Sequence, residues 1–353
     1  MSKYWNEKTK SLEPYTPGEQ FKDRKYLKLN TNENPYPPSP LVMETLRQAV
    51  NSDLRLYPDP NSEELRATIA GYHGLSTEQV FIGNGSDEIL AFAFAAFFSP
   101  GREILFPDIT YSFYPVYADL FSIHYRLVPV DPDFNIPVEK FMTGNGGIII
   151  ANPNAPTGKC LPPAALRQVI EFNNTLDNVV LIDEAYIDFG GESAVELVHE
   201  FPNLLVIQTL SKSRSLAGLR VGFAMGHRQL TEGLYRIKNS INSYTIDRLA
   251  LAGAEAAFQD EAYFQETRQK IINTRERISR ELTDIGFKVI ESKANFLFIS
   301  HPTIRAGDLY ARLKEMNVLV RYFNKPGIDN HLRVSIGSDE QMTKFLQILK
   351  QLL

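Results

Sequence analysis

The sequence predicts an α/β fold: a large unit built on a mainly parallel sheet, followed by a small α+β unit. Three observations predict it. Short apolar runs alternate with helix-like stretches through the middle of the 353 residues, as expected of strands covered on both faces by crossover helices. After about Asp247 the texture changes to long, charged, amphipathic segments. Turns rich in glycine, asparagine and aspartate follow several of the runs, at the carboxyl ends where open sheets bind ligands.

In chain order, residues 1–30 carry Pro14, Pro17 and Gly18 without clear periodicity and read as an N-terminal arm, packed on the small unit or on a partner subunit. Residues 31–246 form the large unit. Its apolar runs at 80–82, 103–106, 147–151, 179–182, 204–207 and 221–225 are too continuous for one-sided burial and read as central strands. A helix is expected after Gly85, burying Ile89, Leu90, Ala93, Phe94 and Phe97. Residues 162–173 and 193–200 read as further helices. Residues 247–353 form the small unit: one amphipathic helix from about 249 to 284, stopped near Gly286, then strands at 287–290 and 295–300, a helix at 305–316, strands at 318–322 and 331–336, and a closing helix at 338–352.

Composition narrows the function. A net charge of −5 gives no reason to expect nucleic acid or an acidic membrane surface. A single cysteine, Cys160, excludes an internal disulfide and a cysteine-cluster metal site. The longest apolar run, 89–98, is too short to cross a bilayer, and the first ten residues lack the apolar core of a signal peptide. The expectation is a cytoplasmic enzyme of small molecules, with no metal.

Four motifs carry chemistry. In Gln208-Thr-Leu-Ser-Lys-Ser-Arg-Ser-Leu-Ala-Gly-Leu-Arg220, Lys212 follows a predicted strand and lies between Ser211 and Arg220. An amine at a sheet mouth, with a hydroxyl and a guanidinium to hold a phosphate, suits a Schiff base to pyridoxal 5'-phosphate; alone, the segment is a solvated basic loop. In Gly83-Asn-Gly-Ser-Asp-Glu88, Gly85 permits a tight turn, and the free amides and Ser86 hydroxyl can bind a phosphate, with Asp87 in the first helical turn. Ser86 as a plain helix cap is the bland alternative. In Leu181-Ile-Asp-Glu-Ala-Tyr186, Asp183 ends a buried strand, where a carboxylate is costly unless it meets a cation such as a protonated pyridine; a cap on a following helix is the alternative. In Asn152-Pro-Asn-Ala-Pro-Thr-Gly158 an asparagine amide can reach a ring oxygen, although the composition alone makes a turn. In the small unit, Arg321 and Arg333 stand at strand positions among apolar neighbours and call for an anion, either a protein carboxylate or a substrate.

With these motifs the chain resembles the aspartate-aminotransferase-like, fold type I pyridoxal-phosphate enzymes, which implies a mainly parallel seven-stranded sheet in the large unit. Within them it is most similar to the histidinol-phosphate aminotransferase branch. The resemblance runs nearly the full length. It is carried by Leu29-Asn-Thr-Asn-Glu-Asn-Pro-Tyr-Pro-Pro-Ser-Pro40, Leu56-Tyr-Pro-Asp-Pro60, Val80-Phe-Ile-Gly-Asn-Gly-Ser-Asp-Glu88, Asp183-Glu-Ala-Tyr-Ile-Asp-Phe189, the Lys212 segment and Ala294-Asn-Phe-Leu-Phe298.

The resemblance implies that Lys212 is the cofactor lysine, Asp183 the partner of the pyridine nitrogen and Tyr186 a donor to the ring oxygen. Ser211, Arg220 and the turn at Gly85, Ser86 and Asp87 hold the phosphate, and Tyr111 stacks on the ring. Tyr57 reaches the cofactor phosphate of the neighbouring subunit, which implies a homodimer. Tyr15, Asn32, Arg321 and Arg333 grip the substrate. The implied reaction moves an amino group between L-histidinol phosphate and 2-oxoglutarate, in histidine biosynthesis. An aromatic or broad-range aminotransferase and a threonine-phosphate decarboxylase of the same fold are the alternatives. The chain departs from the family pattern at Ala155, where an asparagine is usual, so the ring-oxygen contact is expected to pass to Asn154, with Asn152 or loss of the contact as the alternatives. It departs again at Ser213-Arg-Ser215, where Ala-Phe-Ala is commoner and Arg214 is expected to face solvent.

Overall fold

The computed structural model describes residues 2–16, 18–19 and 26–353. Pro17 of the arm lies outside them. After a short helix α1 (Glu7–Ser11), the chain runs through β1 (Leu27–Leu29), α2 (Pro40–Ala49) and α3 (Glu63–His73). The large sheet then accumulates from β2 (Val80–Gly83), β3 (Ile104–Pro107), β4 (Tyr125–Val128), β5 (Ile148–Ala151), β6 (Val180–Asp183), β7 (Leu204–Thr209) and β8 (Gly222–Gly226). Helices α4 (Gly85–Phe97), α5 (Phe113–Phe121), α6 (Pro163–Asn174) and α7 (Arg228–Ile241) accompany these strands. Then come α8 (Arg248–Gln259), α9 (Glu261–Asp284), β9 (Lys288–Ile290), β10 (Phe296–Ser300), α10 (Ala306–Glu315), β11 (Val318–Tyr322), β12 (Leu332–Ser335) and α11 (Asp339–Leu352).

The large sheet has the order β2-β8-β7-β6-β5-β3-β4, and β8 alone runs antiparallel to its neighbours. Strands β2, β3 and β5 to β8 are buried at every position, which is why they read as unbroken apolar runs. Two cores follow. One face packs Ile82, Ile150, Ile182 and Val206 against Leu166 and Ile170 of α6. The other packs Phe81, Ile149, Leu181 and Ile207 against Leu90 and Phe94 of α4. The edge strand β4 has two exposed residues in Tyr-Arg-Leu-Val and no apolar run to betray it.

The small sheet has the order β1-β11-β12-β10-β9, so residues 27–29 belong to it despite their distance in sequence. The stretch expected as one helix from 249 to 284 is two. It breaks at Asp260, whose carboxylate accepts the Tyr263 amide as the cap of α9. Helix α8 packs on α2 and α3 of the large unit, whereas Ile271, Ile278 and Leu282 of α9 enter the core of the small one.

Candidate active site

A cavity of about 450 Å3 opens where Ala151, Asp183 and Thr209 end β5, β6 and β7. Ser86, Asp87, Tyr111, Asp183, Tyr186, Ser211, Lys212 and Arg220 line it from the large unit. Tyr15, Asn32, Arg321 and Arg333 line it from the arm and the small sheet.

Asp183 closes the floor. Its Oδ2 accepts the Tyr114 hydroxyl at 2.8 Å and its Oδ1 accepts the Ala185 amide at 3.2 Å. Among the described residues no cation pairs with it, and burial pushes its pKa up to about 6, against the pull of the Tyr114 hydrogen bond. Glu184, next along, is held by Ser193, the Ala194 amide and Gln208. Burial pushes that carboxyl up to about 7.

Lys212 stands just beyond β7. Its Nζ donates to the Thr31 carbonyl at 3.2 Å and lies 5.9 Å from the centre of the Tyr186 ring. Asn34 fixes the backbone beneath it, donating from Nδ2 to the Lys212 and Ser213 carbonyls, each at 3.0 Å. The Asn-Glu-Asn-Pro motif thus steadies the lysine loop from across the chain.

The glycine turn between β2 and α4 forms the opposite rim. Gly85 has φ +76°, which favours glycine, and a Cβ there would come within 2.5 Å of Arg220 Nη2, so glycine leaves room for the guanidinium across the turn. A Cβ on Gly222 would meet the Ser86 amide nitrogen at 2.5 Å. Arg220, itself at φ +55°, donates to Ser211 Oγ at 3.4 Å and to Asp87 Oδ2 at 3.2 Å. Ser86, weighed as the cap, is instead inside the first turn. Asn84 is the cap residue, and Glu88 Oε2 accepts the Asn84 amide at 2.6 Å. Tyr111 donates to Asp87 Oδ1 at 2.8 Å, and burial, with Asp87 adding to it, holds its hydroxyl protonated.

Arg321 and Arg333 are direct cross-strand partners on β11 and β12. Like charges in that register repel. Among the described residues neither forms an ion pair. Arg321 donates to the Thr16 carbonyl at 3.3 Å and Arg333 to the Asn30 carbonyl at 3.1 Å, while Arg333 Nε is enclosed without a partner. Tyr15 stacks on Phe113 at 4.4 Å, which lays the arm over this chain's own cavity.

Two expected residues fall elsewhere. Asn154 is fully buried but turned from the cavity: its Nδ2 donates to the Ile109 carbonyl and Thr157, and its Oδ1 accepts from Thr110. The loop faces the cavity with Pro153 and Ala155. Tyr186 does line the cavity, its hydroxyl accepting from Asn32 Nδ2 at 3.0 Å. Tyr57 is 76% exposed, stacked on Tyr244 at 4.6 Å and away from the cavity. Arg214, expected at the surface, is buried. Sequence reasoning missed Tyr114, although it lies three residues after Tyr111, and it missed Thr209 and Asn34.

The chain matches the family model described as aminotransferase class I and II over residues 24–349. It is 59% identical to a histidinol-phosphate aminotransferase of Clostridium acetobutylicum, over 99% of both chains. It is 60% identical to that of Clostridium beijerinckii, over 100% of this chain and 98% of the other. In fold it is similar to histidinol-phosphate aminotransferase of Sinorhizobium meliloti in complex with pyridoxal-5'-phosphate (TM-score 0.88, 23% identity, 100% and 99% covered). It is also similar to a mutant aspartate aminotransferase of Thermus thermophilus (TM-score 0.85, 20% identity, 100% of both chains covered). The chain belongs to the class I and II aminotransferases and, within them, to the histidinol-phosphate aminotransferases.

Proposed function

We propose that this chain exchanges an amino group between L-histidinol phosphate and 2-oxoglutarate, giving imidazole-acetol phosphate and L-glutamate in histidine biosynthesis. The residues present fit pyridoxal phosphate as cofactor. A buried carboxylate without a cation, Asp183, suits a protonated pyridine nitrogen. The turn shaped by Gly85, with Ser86, Ser211 and Arg220, suits a phosphate dianion. When bound, pyridoxal phosphate supplies an electron sink for charge developing on the substrate's α-carbon.

The chain's own residues do the rest. Asp183 keeps a positive charge beside it, and Tyr114 keeps that carboxylate oriented. Tyr111 would cover the bound ring, and Tyr186 would donate to its oxygen. Lys212 Nζ takes the proton from the substrate's α-carbon and returns it in the reverse half-reaction. Arg333 and Arg321 receive the substrate anion: a carboxylate from glutamate in one half-reaction, a phosphate in the other. Tyr15 of the arm and Asn32, through its hold on Tyr186, close that end of the cavity.

The observation that carries this reading is the arginine pair. Two guanidiniums directly opposite on adjacent strands, lining the cavity and forming no ion pair among the described residues, suit an anionic substrate.

A homodimer is the companion proposal. Tyr57, Leu56, Leu54 and Ile241 are exposed large side chains. Arg248 holds the Tyr57 segment by its Leu56 and Tyr57 carbonyls. A second copy covering this face would receive Tyr57 at its own phosphate turn.

The test incubates purified protein with histidinol phosphate and 2-oxoglutarate and follows glutamate. Glutamate formation is expected. Its absence, with phenylalanine or tyrosine accepted instead, would move the substrate to the aromatic amino acids. Carbon dioxide released from threonine phosphate would make it a decarboxylase.

A further inference from the structure

The segment Ser211-Lys-Ser-Arg-Ser215 holds a buried arginine that no step above uses. Arg214 is 7% exposed, two residues beyond the lysine. Its guanidinium carbon lies 3.9 Å from the ring centre of Phe264, 4.2 Å from Phe258 and 5.2 Å from Tyr72. Its Nη1 donates to the Ala257 carbonyl at 2.6 Å and its Nη2 to Glu261 Oε2 at 3.3 Å. Glu261 also accepts the Tyr72 hydroxyl at 3.1 Å, which closes the ring of contacts. The other titratable neighbour, His73, has its pKa lowered to about 4 by burial and by Arg214 itself, so it adds no second positive charge near neutrality.

Burying a guanidinium is costly unless hydrogen bonds and ring faces replace water. Here they come from α3, from the end of α8 and from the start of α9. The break between α8 and α9 at Asp260 is therefore where the lysine loop is attached, and α9 continues into the core of the small unit that carries Arg321 and Arg333. Ser215, next to Arg214, sits at φ +61°, a left-handed conformation that a β-carbon disfavours. Ser213, on its other side, is bonded to Asp188.

We infer that Arg214 is a positioning residue: its guanidinium, caged by Tyr72, Phe258 and Phe264, fixes the Lys212 loop to the α8–α9 elbow and so sets where the Lys212 amine stands in the cavity. This rests on the reading of Lys212 as the cofactor lysine.

Two variants test it. Arg214→Met fills the cage without charge or hydrogen bonds, and Arg214→Lys keeps the charge. In the cofactor-free full chain, the rate at which an amine-acylating reagent labels each lysine is read by peptide mass spectrometry. Lys238, buried and bonded to the Pro60 and Ser243 carbonyls, reports global opening.

Arg214→Met should change labelling of Lys212 at least threefold while leaving Lys238 unchanged. In the loaded enzyme it should lower kcat about tenfold, with KM for both substrates nearly unchanged. Arg214→Lys should recover part of each effect. Equal labelling of Lys212 in all three proteins, or a change at Lys212 matched at Lys238, would overturn the anchor. A wild-type protein that takes up no pyridoxal phosphate would instead sink the reading of Lys212, whatever the labelling shows.

Discussion

At the scale of single residues, the site rests on charges that form no ion pair among the described residues. Asp183 ends β6 among apolar neighbours, accepts only neutral donors and is pushed up to about 6. Because its folded pKa lies above the ordinary carboxyl value of 3.8, its protonated form favours folding. That contribution is fully present below about pH 4 and is lost as pH rises through about 6. Glu184, at about 7, acts in the same direction. The contribution of these two carboxyls should therefore fall between pH 4 and 7, opposite in sign to that of His73. Asp183→Asn should raise the melting temperature of the cofactor-free chain at pH 7.5 by the equivalent of at most about 3 kcal/mol, and have little effect at pH 4. A melting temperature for the variant equal to or below wild type at pH 7.5 would contradict the uncompensated charge. Arg333→Ala should raise KM for both substrates about 30-fold, the size expected when a charge partner worth at least about 2 kcal/mol is lost. An unchanged KM for both would remove Arg333 from the site. Legibility at this scale was high where a residue's type is costly in its place, as for Asp183, Arg321 and Arg333. It failed at Asn154, because an asparagine in a Pro-rich loop serves a turn as readily as a ligand, and here its amide closes the loop on Thr110 and Thr157.

At the scale of elements, the glycine turn between β2 and α4 depends on an empty space. Gly85→Ala would place a methyl against the Arg220 guanidinium and force alanine to φ +76°, a conformation costing roughly 1–2 kcal/mol. The variant should bind pyridoxal phosphate at least tenfold more weakly in fluorescence titration, with its far-ultraviolet circular dichroism unchanged. Undiminished binding would show that Arg220 does not lie over that turn in solution. The strands buried on both faces were readable from composition because nothing but apolar residues fits there. Strand β4 was not, being an edge with Arg126 and Leu127 exposed. Nor was β1, since three residues become a strand only when β11 offers the Val318 to Val320 ladder. The Asp260 break was hidden by continuous helical character on both sides.

At the scale of the whole molecule, the cavity belongs to neither unit alone. The large sheet brings Asp183, Lys212 and Arg220, the small sheet brings the arginine pair, and the arm spans both through Tyr15 and Thr16. Tyr57 is the residue whose expected role a single chain does not fulfil, because it stands exposed beside Tyr244. A dimer burying that face should dissociate when Leu54 and Ile241 are both changed to aspartate, as read by sedimentation. Tyr57→Ala should keep the dimer but weaken cofactor binding. A wild-type protein that sediments as a monomer would remove the shared-site proposal and leave the rest standing.

The most direct measurement traps the cofactor on the chain. Purified protein loaded with pyridoxal phosphate is reduced with borohydride, digested and mapped by mass spectrometry. A single phosphopyridoxyl group is expected on the residue 212 amine and on no other lysine. A protein left unmodified, or one carrying that group elsewhere, would contradict the assignment of this cavity.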